Sequence, residues 1–173
     1  SALCNLQYRG YDSAGVALYE NGIQTVKTKG RIAALVEKLE VHPELKSACC
    51  GIGHTRWATH GAPADRNAHP HATEHLALVH NGIIENYTEI ATFLQGKGYH
   101  FQSDTDTEMA ALLIDWHYQR TRDPKAAIFA AVSALRGSYA FGLIFADSPG
   151  IIYAIRKDSP LIVAATAESG VIA

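Results

Sequence analysis

VHNGIIEN, residues 79–86, is the stretch on which the fold turns. An apolar strand, 76–80, runs into Asn81-Gly82, and Asn86 then stands three residues ahead of Glu89, the spacing of a helix capping box. Upstream the chain is mostly strand-like. Segments 14–19 and 23–28 flank Glu20-Asn21-Gly22, where Asn-Gly supplies the positive φ of a tight hairpin. Segment 30–40 carries Ile32, Leu35, Val36 and Leu39 on one helical face, and 49–55 reads as a strand. Downstream the pattern becomes helical. The helix opened by Asn86 carries Ile90, Phe93 and Leu94 and can end at Gly98. Thr105 and Glu108 repeat the capping spacing before Met109, Leu112, Leu113 and Trp116. A third helix begins at Pro124, buries Ile128, Val132 and Leu135, and stops at Gly137. Strands return at 139–146, 151–156 and 161–165, the first two joined by Ser148-Pro149-Gly150. A strand run, a helix run and a second strand run predict an α+β fold with helices stacked on antiparallel sheets.

The 173 residues suit a single domain with one sizeable core. Hydrophobic residues make up 47% and charged residues 18%, with a formal net charge of -2, so nothing electrostatic favours nucleic acid or an anionic membrane. Apolar runs such as 140–146 are too short to span a bilayer, and no signal peptide is visible. Cys4, Cys49 and Cys50 make no disulfide framework; free thiols fit a reducing cytoplasm.

Polar residues concentrate between Gly51 and Asn86. GIGHTRWATHG, residues 51–61, offers Arg56, whose planar fork suits a carboxylate, beside Trp57, Thr59 and His60. The plainer alternative is a surface arginine and a loop-anchoring tryptophan. Asn81 and Gly82 can supply a side-chain amide and a backbone N–H, the two donors of an oxyanion hole, but Asn-Gly is equally a turn signal. SDTDTE, residues 103–108, puts Asp104 and Asp106 at a helix N-terminus. Capping is the better reading for Asp104; Asp106 can either cap or face an ammonium group. Six of nine histidines lie between His54 and His80, yet no HExxH pair or CxxC spacing supports a metal site, and no GxSxG elbow or phosphate-cradling loop is present.

YRGYDSAG (8–15), HTRWATHG (54–61), NAHPH (67–71), VHNGIIEN, SDTDTE, LRGSYAFG (135–142) and DSPLIVA (158–164) together resemble the glutaminase domains of the glucosamine-6-phosphate synthase family. The resemblance implies an N-terminal-nucleophile hydrolase, a four-layer αββα sandwich of two antiparallel sheets. It implies attack by an N-terminal cysteine on the side-chain amide of L-glutamine, with ammonia passing to a sugar-isomerase domain that makes glucosamine 6-phosphate from fructose 6-phosphate. On this sequence, Arg56 resembles the α-carboxylate clamp and Asp106 the α-amino partner. Thr59 and His60 resemble further pocket residues, Asn81 and Gly82 the oxyanion donors, and Trp57 a residue of the closing loop. His54, His69 and His80 become structural or supporting residues. No cofactor and no metal are implied, and the full-length parent is expected to be a cytoplasmic homodimer.

The resemblance also carries a departure. The family opens with Cys-Gly-Ile, whereas this chain opens at SALCNLQYRG, where Cys4 has no free α-amino group. The expectation is a partial glutaminase domain over 1–173, without its nucleophile or the isomerase domain, and inactive as it stands. The alternatives are a non-catalytic glutamine-binding or regulatory module, and a glutaminase domain serving another acceptor such as a phosphoribosyl group.

Overall fold

The computed structural model of the chain describes residues 3, 10, 12–57 and 61–173. Strands β1 (Ser13–Tyr19) and β2 (Ile23–Lys29) form the expected hairpin, with Val16 opposite Val26 and with Asn21 and Gly22 at φ 52° and 117°. Helix α1 (Ile32–Glu40) buries Ile32 and Leu35. Val36, expected on the same face, is 44% exposed. At 100° per residue it lies on the flank of the stripe set by residues 32, 35 and 39. Strand β3 (Gly51–Arg56) pairs with the other side of β1, giving the order β2-β1-β3.

The second sheet is built from β4 (His71–Ala72) and β5 (Leu76–Ile84) before the helices, and from β6 (Gly137–Phe145) and β7 (Tyr153–Lys157) after them, in the order β4-β5-β6-β7. Between them run α2 (Tyr87–Gln95), α3 (Asp106–Thr121) and α4 (Pro124–Ala134). A separate hairpin, β8 (Val163–Ala165) with β9 (Gly170–Ile172), follows.

Three apolar clusters define four layers. Ile32, Leu35 and Leu45 cover Ala14, Val16 and Val26 on the outer face of the first sheet. Ala17, Ile52, Ala77 and Ile144 fill the space between the sheets. Met109, Leu113, Ile114, Ala127 and Ile128 cover Leu76, Leu78, Phe141 and Phe145 on the outer face of the second sheet. Each fully buried leucine or isoleucine there contributes about 1.5–3 kcal/mol. The arrangement is the αββα sandwich of antiparallel sheets that the resemblance implied.

Local chemistry departs from expectation at three points. Strand β5 does not end at His80 but continues through Asn81-Gly82 to Ile84, with Gly82 opposite Tyr139, so the Asn-Gly pair is not a turn. Long-range pairing with β6 overrides the local signal, and glycine is needed for contact rather than reversal. A Cβ at Gly82, whose φ is 127°, would stand 2.1 Å from the Ser138 carbonyl oxygen. Asn86 forms no side-chain cap. Its amide reaches across the chain, donating to Ala134 O at 2.9 Å and accepting from Arg136 N at 2.8 Å, while Glu89 pairs with Arg136. At α3 the expected cap is present, Thr105 Oγ1 accepting from Glu108 N at 3.3 Å. The Glu108 carboxylate, however, accepts from the N–H groups of Gln102 and Ser103 rather than closing the box.

Candidate active site

Alternation along β3 puts Ile52, His54 and Arg56 on the face that looks into the gap between the sheets. Their partners on β1 are Ala17, Gly15 and Ser13. Glycine is required opposite His54: a Cβ at Gly15 would lie 2.2 Å from the His69 carbonyl oxygen. Arg56 is 4% exposed, its Nη2 donates to Gly61 O at 3.0 Å, and its Nη1 lies 3.7 Å from Asp12 Oδ1. A guanidinium this buried is tolerable because a carboxylate stands beside it.

On β5 the hydrogen-bonding parity can be read from its two ends. Ala146 N donates to His75 O and Glu85 N donates to Arg136 O, so the odd-numbered residues exchange bonds with β6. The N–H groups of His80, Gly82 and Ile84 therefore turn toward the opposite edge. There β4 reaches only as far as the partners of Ala77 and Leu78. Past that point the head of α3 takes over the edge: Asp106 Oδ2 accepts from Ile84 N at 2.9 Å. Gly82 N–H faces the same edge two residues earlier, about 7 Å along the strand. The Asn81 side chain points to the other face, toward β3, where His54 Nε2 donates to Asn81 Oδ1 at 2.9 Å. No described residue accepts from Asn81 Nδ2.

Asp106 is 5% exposed. Its Oδ1 lies 3.4 Å from Thr107 Oγ1 and 3.9 Å from His80 Nδ1. Asp104, expected to cap α3, does not; Thr105 holds that position because its β-region backbone aims Oγ1 at the helix N–H groups. Asp104 instead accepts from Arg66 at 2.9 Å and Asn67 at 3.2 Å, hydrogen bonds that hold its carboxyl below the ordinary range.

The histidines form a contiguous interior group. The rings of His54 and His69 are 4.4 Å apart and those of His69 and His71 5.2 Å apart, and His71 Nε2 is 2.9 Å from Thr105 Oγ1. Burial first, and then neighbouring positive charge, holds His69 well below the usual imidazole value and brings His71 down to about 3. His54 is likewise lowered by burial, against the opposing effect of its bond to Asn81. All three are neutral at pH 7. Among the described residues no three His, Cys, Asp or Glu side chains converge on a metal-sized site.

His54 and Arg56 thus share the inner face of β3, the His54–Asn81 bond joins the two sheets, and Gly82 and Asp106 lie along the same free edge of β5. Trp57 follows Arg56 and is 62% exposed. Thr59, His60 and Cys4 lie outside the described residues. Cys49 and Cys50 sit before the start of β3, about 20 Å of strand from Arg56 at its end. The open cavity of about 440 Å³ over β2 is lined by Lys27, Arg66, His71 and Glu108 among others, and neither Arg56 nor Asp106 lines it. Sequence reading leaves His54 as a structural or supporting residue; its i, i+2 spacing from Arg56 puts the two on one strand face.

The profile of the glutamine amidotransferase domain matches residues 54–172. The chain is 48% identical to the glutamine--fructose-6-phosphate aminotransferase [isomerizing] of Clostridium acetobutylicum, over 99% of this chain and 28% of that protein. It is 51% identical to the protein of the same name from Pyrococcus horikoshii, over 93% of this chain and 27% of that protein. The chain spans about a quarter of the length of these curated relatives. Among solved structures, the glutamine phosphoribosylpyrophosphate amidotransferase of B. subtilis superimposes with a TM-score of 0.78 at 27% identity, covering 98% of this chain and 37% of that one.

Proposed function

The chain belongs to the glutamine amidotransferase domain family, and from that premise we propose that its Arg56, Asp106, Asn81 and Gly82 bind and polarise L-glutamine so that the side-chain amide is hydrolysed to glutamate and ammonia. Arg56 takes the α-carboxylate in a forked pair of hydrogen bonds, and Asp106 takes the α-ammonium. Asn81 Nδ2 and Gly82 N–H stabilise the negative charge that develops on the amide oxygen when a thiolate adds to the carbon. The C–N bond then breaks, nitrogen leaves as ammonia after gaining a proton, and water cleaves the thioester to glutamate. The attacking group is assigned to none of the described residues. Trp57, Thr59 and His60 are the further candidates for contact with glutamine.

The single observation that carries this reading is the edge of β5, where Gly82 N–H and the Asp106 carboxylate face the same side, next in sequence to Asn81, whose amide nitrogen no described residue engages. In the complete protein the ammonia goes to fructose 6-phosphate through a sugar-isomerase domain, giving glucosamine 6-phosphate. Support comes from the 48% identity to a protein named for that reaction, against 27% to the phosphoribosyl amidotransferase, which makes a phosphoribosyl acceptor the weaker reading. The protein works in the cytoplasm as a homodimer, without metal, coenzyme or nucleic acid. No helix among the described residues is long and apolar enough to cross a membrane.

The test is to assay the complete gene product for glutamate and glucosamine 6-phosphate from glutamine and fructose 6-phosphate, with phosphoribosyl pyrophosphate as the competing acceptor. Arg56→Ala is expected to raise the KM for glutamine. Failure to form glutamate, or an unchanged KM in a folded Arg56→Ala variant, overturns the proposal.

A further inference from the structure

We propose that His54 is a positioning residue: by donating from Nε2 to Asn81 Oδ1 at 2.9 Å, it fixes the Asn81 carboxamide so that its nitrogen, not its oxygen, faces the substrate. This rests on the glutaminase reading above and names the residue that makes one of its donors usable.

A carboxamide is nearly symmetric in shape, so packing alone does not choose between its two orientations; a hydrogen-bond partner must. The choice matters. With nitrogen toward the ligand, Asn81 donates to a developing oxyanion. With oxygen toward it, a lone pair opposes the same charge. Asn81 is exposed at the end of β5, and no described residue accepts from its nitrogen. The restraint therefore comes from the oxygen side, and His54 supplies it. With its proton on Nε2, the tautomer that the contact with Asn81 Oδ1 requires, the ring can only donate there, and that excludes the flipped amide.

His54 is itself placed by the fold. It stands on β3 opposite Gly15, with its ring 4.4 Å from that of His69. The imidazole thus reaches across from β3 to Asn81 and never needs to touch glutamine. A purely architectural histidine would show the same burial and stacking, so the discriminating property is the donor and not the ring.

Two variants separate these roles in the complete protein. His54→Phe keeps an aromatic ring against His69 and removes the donor. His54→Gln loses the ring and keeps an N–H of similar reach. The expected result is a roughly tenfold or greater loss of glutaminase kcat for His54→Phe, with KM for glutamine within about twofold, and recovery of most of that loss in His54→Gln. Asn81→Ala alone is expected to lower kcat by about 10²-fold, and His54→Phe added to it should cost nothing further. The proposal is overturned if His54→Gln is the worse of the two, or if His54→Phe lowers kcat equally in both backgrounds. Absence of glutamate formation by the unmodified protein, or full activity of Asn81→Ala, overturns the glutaminase reading itself, and this inference with it.

Discussion

Asp106 Oδ2 accepts the backbone N–H of Ile84 at 2.9 Å, so a carboxylate at the head of α3 seals the free edge of β5 two residues beyond Gly82. One oxygen thereby does structural work, while Oδ1, which also accepts from Thr107 Oγ1, is the one proposed to meet the ligand ammonium. Asp106→Asn keeps an acceptor for Ile84 and loses the charge. The expected outcome is a KM for glutamine raised roughly 10- to 100-fold, the size of a charge-assisted hydrogen bond, with little change in melting temperature. Asp106→Ala loses both functions and should also lose about 1–3 kcal/mol of stability in urea titration.

Gly82→Ala tests the strand rather than the ligand. At φ 127° and with Ser138 O 2.1 Å from the added Cβ, alanine forces β5 away from β6. Roughly 1–3 kcal/mol of backbone strain is expected, together with a loss of kcat larger than the change in KM, because the displaced N–H is the proposed transition-state donor. Steady-state kinetics alongside chemical denaturation reads both. A variant of normal stability and activity would mean that β5 ends before Gly82.

How much of this was legible in the chain itself follows from the range of the forces involved. The Asn21-Gly22 hairpin and the Thr105 cap were readable because a few adjacent residues decide them. The continuation of β5 through Asn81-Gly82 was not, since it depends on pairing with residues 137–140, more than fifty positions away. Asn86 misled for the same reason: capping spacing is local, while its actual partners are Ala134 and Arg136. At the site, residue type left a surface arginine and a helix cap open, and the burial of Arg56 beside Asp12 and the bond from Ile84 N to Asp106 depend on contacts distant in sequence. The contact of His54 with Asn81 was hidden, because it spans two sheets that nothing local brings together.

Asn86→Ala isolates the long-range bond from the chemistry. The side chain is buried, and removing it leaves Arg136 N and Ala134 O without their partner. A loss of about 1–3 kcal/mol is expected, with kcat and the KM for glutamine unchanged where the protein remains folded. Equilibrium unfolding and kinetics on one preparation check it; an altered KM would place Asn86 nearer the ligand than its contacts indicate.

The buried imidazoles make stability depend on pH in a window where carboxylates contribute little. His54, His69 and His71 all titrate lower when folded than when unfolded, His71 at about 3 against an ordinary 6.5. Above pH 6.5 neither state binds these protons, and stability is flat with respect to them. Below it, the unfolded chain takes up protons that the folded chain refuses, so stability falls as pH falls, by about 1.4 kcal/mol per pH unit for each fully shifted histidine. Urea titrations at pH 7, 6 and 5 should show this decline. His71→Gln, which can keep a bond to Thr105 Oγ1 but does not titrate, should reduce the slope between pH 6 and 5 by about one histidine's share. An unchanged slope would mean that His71 is protonated within the folded protein, and that its 2.9 Å contact with Thr105 is made by an imidazolium.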